Sequence, residues 1–296
     1  MFERIIVYIA VVLMKGIALL PLKMVQGLGS GVGTLLFWAN LKPAQITRIN
    51  LTLCFPEKNK QELDALVKRS LQETAKTMLE FAVVWFREAK AVLALVRSVE
   101  GEELVENAVS QGRGILFLGP HHGNWEVAGL YLASRYRMAS MYRPPKMKKL
   151  EQVITLARSR TGAELLPTTQ RGVARLLSIL KKGGTAGVLP DQVPSPNSAE
   201  FAPFFGQNAH TMTLVTKLAQ RIRPKLIVVF ALRLPEGQGY KLCFREAAEG
   251  VESDDLAVSL AAVNRSVENA VLEAVPQYQW EYKRFRRRLP GQKKLY

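Results

Sequence analysis

His121 and His122 stand together in the run His121-His122-Gly123-Asn124-Trp125-Glu126, and the 296-residue chain has only one other histidine, His210. An unperturbed imidazole titrates near pH 6.5, so it can take and return a proton at neutral pH. Glu126 follows at a spacing that puts it in the first turn of a helix if His121 lies on the preceding strand-to-helix turn. A carboxylate so placed can fix the imidazole tautomer and stabilise the imidazolium as it forms, although the helix dipole alone also favours an acid there. The chemistry indicated is general-base catalysis, with His121 as the base and Glu126 as its partner. His122 reads as a decoy or as support behind His121, since two adjacent histidines after a strand are unexpected as core filling. His210 follows Phe204-Phe205-Gly206 in a polar stretch and is expected at the surface. No G-x-S-x-G nucleophile elbow occurs, so a covalent serine intermediate is not indicated. Backbone N–H groups at the helix start near Asn124 are the expected donors to a tetrahedral oxyanion.

What must hold these residues is an α/β sheet. The run 115–118 is short, apolar and bounded by Gly114 and Gly119-Pro120, as a buried strand is. Further strands are predicted at 138–142, 185–189, 226–232 and 241–244. Helices are predicted at 124–136, 148–158, 172–182, 211–221 and 256–274. Strands alternating with helices indicate a mostly parallel central sheet flanked by helices. Ligands of such sheets bind beyond the carboxyl ends of the strands. There the sequence offers His121 to Glu126 after the first strand, Arg143 after the second, Asp191-Gln192 after the third and Arg233 after the fourth. Arg143, Asp191, Gln192, Arg233 and Asn124 are therefore candidate substrate contacts beside the base.

Before the sheet, apolar positions from Leu63 to Ala82 recur at three- and four-residue steps, which predicts an amphipathic helix over 60–86 with a core-packing face. The run 5–20 is almost wholly apolar. Eleven Ile, Leu or Val residues lie between Ile5 and Leu22, favouring insertion by roughly 3 to 7 kcal/mol against about 2.5 to 3.5 kcal/mol for Lys15. Residues 1–41 are read as a membrane anchor, spanning or interfacial, with 32–41 as a short membrane-apposed helix. Residues 42–296 are read as the α/β domain, with a helical layer to about residue 100. The net charge of +16 and pI near 10.0 suit anionic partners such as lipid surfaces, phosphorylated substrates, acidic carriers or nucleic acid. The basic tail (Lys283, Arg284, Arg286, Arg287, Arg288, Lys293, Lys294) is either a solvated end or a grip on phosphates or an acidic protein. The two cysteines, Cys54 and Cys243, form no metal or disulfide spacing.

The run 121–126 resembles the H-x4-D/E motif of the late acyltransferases of lipid A biosynthesis, the lauroyl/myristoyl acyltransferase family. Other segments fit that family in order: Asn50-Leu51 with Cys54-Phe55-Pro56-Glu57, Tyr142-Arg143-Pro144, Pro190-Asp191-Gln192, Pro203-Phe204-Phe205-Gly206 with Thr211, and Trp280-Glu281-Tyr282-Lys283-Arg284-Phe285. Tyr282 stands where some members have histidine. The resemblance implies transfer of a fatty acyl group from acyl carrier protein to a hydroxyl of an anionic glycolipid, a lipid A precursor. The setting it implies is the cytoplasmic face of the bacterial inner membrane, with no cofactor, no metal and no nucleic acid. It also implies His121 as base with Glu126, and Arg143, Asp191 and Arg233 in substrate placement. Two other readings stay open at this point: an acyl-CoA-dependent acyltransferase acting on another glycolipid or phospholipid, and a basic membrane- or nucleic-acid-binding module without catalysis. No RNA-binding signature or zinc-finger spacing supports the last.

Overall fold

The computed structural model describes residues 2–145 and 147–296, with side-chain surroundings from Val7 onward. The chain opens with helices α1 (Phe2–Leu19), α2 (Leu22–Trp38), α3 (Lys42–Cys54), α4 (Lys60–Phe86) and α5 (Ala89–Leu93). Strand β1 (Val96–Glu100), helix α6 (Glu103–Ser110), β2 (Ile115–Leu118), α7 (Trp125–Arg135), β3 (Met138–Tyr142), α8 (Lys148–Ser159), β4 (Glu164–Pro167), α9 (Gln170–Lys181) and β5 (Thr185–Val188) then alternate. A hairpin of β6 (Ala199–Phe204) and β7 (Gln207–Met212) interrupts before α10 (Leu214–Ile222), β8 (Lys225–Arg233), β9 (Tyr240–Glu246) and α11 (Leu256–Glu273).

The main sheet has seven strands in the order β1-β9-β8-β2-β5-β3-β4. From β8 to β4 all neighbours are parallel, while β9 runs antiparallel to β8 and β1 follows β9. Both central strands β2 and β5 are buried along their whole length, as strands covered on both faces are. Successive side chains alternate between the faces. Ile115 and Phe117 join Ile227 and Val229 beneath α4 and α7; Leu116 and Leu118 join Val228 and Phe230 beneath α9, α10 and α11. A third cluster, with Leu51, Leu71, Phe204, Trp280 and Phe285, forms where α3, α4, the hairpin and the C-terminal segment meet.

The 27-residue α4 is the spine of the helical layer. Asn59 caps it by accepting from the Glu62 N–H at 3.0 Å, and Glu62 reaches back to the Asn59 N–H at 2.9 Å, a reciprocal capping box. Against it lies α2, which begins at Leu22, well before the expected 32–41 helix. Its glycines conceal it, since glycine is a poor helix former in isolation. They also explain its packing: a Cβ on Gly29 would come 2.6 Å from the Lys76 Cα, and one on Gly33 would come 2.4 Å from the Gln72 Cα. The two backbones touch there. The helix expected at 211–221 starts instead at Leu214, because Thr211 and Met212 belong to β7 and pair across the hairpin with Glu200 and Ala199.

Among the described residues no helix is long and apolar enough to cross a membrane. The 18-residue α1 rises only about 27 Å, short of the roughly 30 Å hydrocarbon core, and carries Lys15 within it. Of the two forms expected for the anchor, the spanning one is thus unsupported. Instead α1 and α2 turn Ala18, Leu22 and Val25 inward and leave Ile9, Val12, Leu13, Leu28, Leu35 and Trp38 exposed.

Candidate active site

Because β2 and β5 are parallel neighbours, the loops leaving their carboxyl ends lie side by side, and this brings His121 to Asp191. The His121 N–H donates to Asp191 Oδ2 at 2.8 Å, and the ring Nδ1 lies 2.8 Å from Asp191 Oδ1. A carboxylate only accepts, so Nδ1 carries the hydrogen and Nε2 keeps its lone pair. The Gln192 amide meets that lone pair at 3.1 Å and also donates to Gln279 Oε1 at 3.2 Å. The edge of Trp125 closes one side of the imidazole, at a centroid separation of 4.9 Å. Burial pushes the Asp191 carboxyl up, but His121 and its two hydrogen bonds outweigh this and hold it below the usual carboxylate range. The Asp191 side chain is 2% exposed and the His121 side chain 12%, so the imidazole can be reached from the rim while the carboxylate cannot.

The turn that carries His121 is fixed from three directions. Gly123 has φ +60°, and a Cβ there would meet the Ala231 carbonyl at 2.0 Å. Its N–H donates to Gln277 O at 3.0 Å, and the Asn124 N–H donates to Ala231 O at 2.8 Å. Gln279 N–H returns to the His121 carbonyl at 3.1 Å. Gly123 and Asn124 thus spend their N–H groups on backbone carbonyls, so the expected oxyanion donors at Asn124 are already engaged. The Asn124 side chain caps α7 by accepting from the Val127 N–H at 3.2 Å and is itself wholly buried.

Glu126 was expected against the imidazole, but its hydrogen bonds go elsewhere. It takes both Nε (3.0 and 3.1 Å) and Nη2 of Arg158 on α8. The first turn of α7 directs Glu126 toward α8, whereas the strand pairing delivers Asp191 to the ring. The Glu126–Arg158 pair lines an apolar cavity with Trp85, Trp125, Leu130, Met141 and Leu165. Arg158 was not singled out from sequence; it sits among the charged residues of an amphipathic helix, and its partner is 32 positions away.

The remaining candidates separate. Arg143 is exposed at the end of β3, on the rim as expected. Arg233 ends β8 but turns inward: its guanidinium bonds Glu80 at 2.7 Å from both Nε and Nη2, and Nη1 meets Glu73. An anion clamp at the rim is thus not its arrangement. His122 is core after all, wholly buried between Phe230 and Tyr278 at centroid distances of 5.3 and 6.5 Å. Neither ring nitrogen has a partner among the described residues, and burial pushes its pKa down to about 3, so it is neutral. His210 lies in β7 beside Phe201, 5.1 Å between rings, and is buried rather than at the surface. Arg284 of the basic tail is also interior, stacked over Phe204 and bonded to the His210 carbonyl at 2.7 Å, which removes it from any surface grip.

Comparison with known proteins places the chain in a family. Residues 1–287 match the model of the family described as bacterial lipid A biosynthesis acyltransferase. Curated relatives from Escherichia coli (strain K12) include a lipid A biosynthesis lauroyltransferase, 28% identical over 92% of this chain and 88% of the relative. A palmitoleoyltransferase is 27% identical over 94% and 90%, and a myristoyltransferase 25% identical over 96% and 88%. With the match running through the helical layer, the rim that carries His121 and most of the C-terminal segment, the chain belongs to the bacterial lipid A biosynthesis acyltransferase family.

Proposed function

We propose that this acyltransferase moves a fatty acyl group from an acyl carrier protein thioester to a hydroxyl of a lipid A precursor, with His121 as general base. The observation that carries the reading is the 2.8 Å contact of His121 Nδ1 with buried Asp191, which leaves the Nε2 lone pair facing a reachable rim. The acceptor hydroxyl takes the place of the Gln192 amide, gives its proton to Nε2 and bonds to the thioester carbonyl carbon. As the tetrahedral intermediate collapses, the carbon–sulfur bond breaks and the imidazolium returns the proton to the leaving thiolate. Asp191 holds the imidazolium, and general-base help of this kind is worth about 10²- to 10⁴-fold. Glu126 acts through Arg158, holding its guanidinium at the apolar cavity, where a positive charge stabilises the oxyanion. Arg143, exposed on the rim, suits an acceptor phosphate. The apolar side chains left exposed on α1 and α2 support an interfacial seat on the cytoplasmic face of the inner membrane rather than a span.

The test is turnover by detergent-purified protein with carrier-protein thioesters of several chain lengths and a tetra-acylated lipid A precursor. His121→Ala is expected to lose at least 10²-fold in kcat while still binding the acceptor in a separate binding assay. Asp191→Asn is expected to lose comparable activity through the wrong tautomer. Transfer only from acyl-CoA to another lipid would keep the chemistry and overturn the donor and the acceptor. Undiminished turnover in His121→Ala would overturn the mechanism.

A further inference from the structure

Glu80, in the C-terminal third of α4, is wholly buried. Its Oε1 accepts from Gln26 Nε2 on α2 at 2.9 Å and from Arg233 Nε at 2.7 Å. Its Oε2 accepts from Arg233 Nη2 at 2.7 Å and from Asn124 Nδ2 at 3.0 Å. One turn earlier on α4, Thr77 accepts from Arg233 Nη2 at 2.7 Å, and its hydroxyl reaches the Gly123 carbonyl at 3.2 Å. The cluster thus ties α4 to the turn that carries His121, to α2 and to the end of β8, with a further contact from Asn124 Nδ2 to the Tyr240 hydroxyl on β9 at 3.3 Å.

A buried arginine–glutamate pair is weak evidence for stability, because well-packed apolar residues often serve as well once desolvation is counted. Its charge-assisted bonds do fix geometry closely. Here the geometry that is fixed is the N-cap of α7. Asn124 has one amide oxygen for the Val127 N–H and one amide nitrogen for Glu80, so its rotamer is set from both ends. Three residues before it in the chain, His121 must meet Asp191 within hydrogen-bonding range. Displacement of such a group by about 1 Å costs on the order of 10²-fold in rate.

We propose that Glu80 is a positioning residue for the reaction: it sets the turn from His121 to Asn124 in register with Asp191 and, through Gln26, ties that register to the docking of α2. This rests on His121 being the base. Glu80 itself touches neither substrate nor reacting atoms.

The experiment uses the full-length protein in detergent, with Glu80→Gln and with the double variant Glu80→Gln/Asn124→Asp, which restores the contact with donor and acceptor exchanged. Glu80→Gln is expected to remain folded, to keep KM for both substrates within about twofold and to lose about 10²-fold in kcat; the double variant should recover at least tenfold of that loss. A second readout is independent of turnover. In ¹⁵N-histidine-labelled protein, the Nδ1–H proton bonded to Asp191 should be seen in the parent, vanish in Glu80→Gln and return in the double variant. Should Glu80→Gln fail to fold, Asn124→Ser decides, since serine still caps the helix but does not reach Glu80. An unchanged kcat with an intact Nδ1–H signal, in whichever variant folds, overturns the proposal, as does an equal loss in the double variant. If the parent transfers no acyl group, the proposed function fails, and the Nδ1–H readout alone still judges the positioning role.

Discussion

His121 and His122 are chain neighbours with opposite surroundings, because the positive φ of Gly123 and the β8 contacts turn one ring to the rim and the other into the core. With its folded pKa near 3, His122 stays neutral in the fold while the unfolded chain takes up a proton near pH 6.5. Folding stability must therefore fall as pH drops below about 6.5, by up to about 1.4 kcal/mol per unit, until the folded pKa is reached. Asp191 acts in the same direction at lower pH: its depressed carboxyl contributes stability above the ordinary carboxylate range that is lost on acidification through the folded value. Melting temperatures from pH 7.5 to 4.5 should fall for the parent and fall less steeply for His122→Leu; equal slopes would assign the acid sensitivity to other groups. The place of His121 on the rim was legible in the sequence because a histidine after a buried apolar run is a local signal. Its partner was legible only as a rim residue, since which rim residue meets it depends on β2 and β5 being adjacent strands. The Glu126–Arg158 pair, with no short-range pattern, was invisible.

Elements with strong periodicity were legible almost to the residue: α4 over 60–86, β2 over 115–118 and β3 over 138–142 match their expected bounds. Those made by tertiary contact were not. The exposed strand β1 has only Val96 shielded among its five residues, and β7 of the hairpin is written mainly in Gln, Asn, His and Thr. The same holds for α2, where Gly29 and Gly33 trade helix propensity for backbone contact with α4. A Cβ at Gly33 meets the Gln72 N and Cα at 2.5 and 2.4 Å, with no flexible side chain to yield. Gly33→Val should therefore separate α2 from α4 and destabilise the fold by roughly 1 to 3 kcal/mol, whereas Gly31→Ala, with open space around it, should be neutral or slightly stabilising. Thermal denaturation of the two proteins checks the contrast, and equal effects would mean that the close approach is not a constraint.

At the scale of the molecule, the proposed interfacial seat draws on the apolar side chains left exposed on α1 and α2. Full burial of a leucine side chain is worth about 1.5 to 3 kcal/mol, and the tenfold step in affinity is about 1.4 kcal/mol. Leu13→Glu with Leu35→Glu, both exposed, should lower partitioning onto phosphatidylethanolamine/phosphatidylglycerol vesicles by at least tenfold without shifting the melting temperature; undiminished partitioning would assign the attachment to basic residues instead. The antiparallel course of β9 has a different consequence. Glu246 at its end sits opposite Ile227 at the beginning of β8, so the segment 247–255 emerges at the pole of the sheet away from His121. Glu249 there is exposed. A reporter fused near Glu249 would therefore stand clear of the strand ends that carry His121, Arg143 and Asp191. The reversal of one strand thus sets this connection, anchored by buried Val251 and the Asp255 cap of α11, at the pole opposite the candidate site.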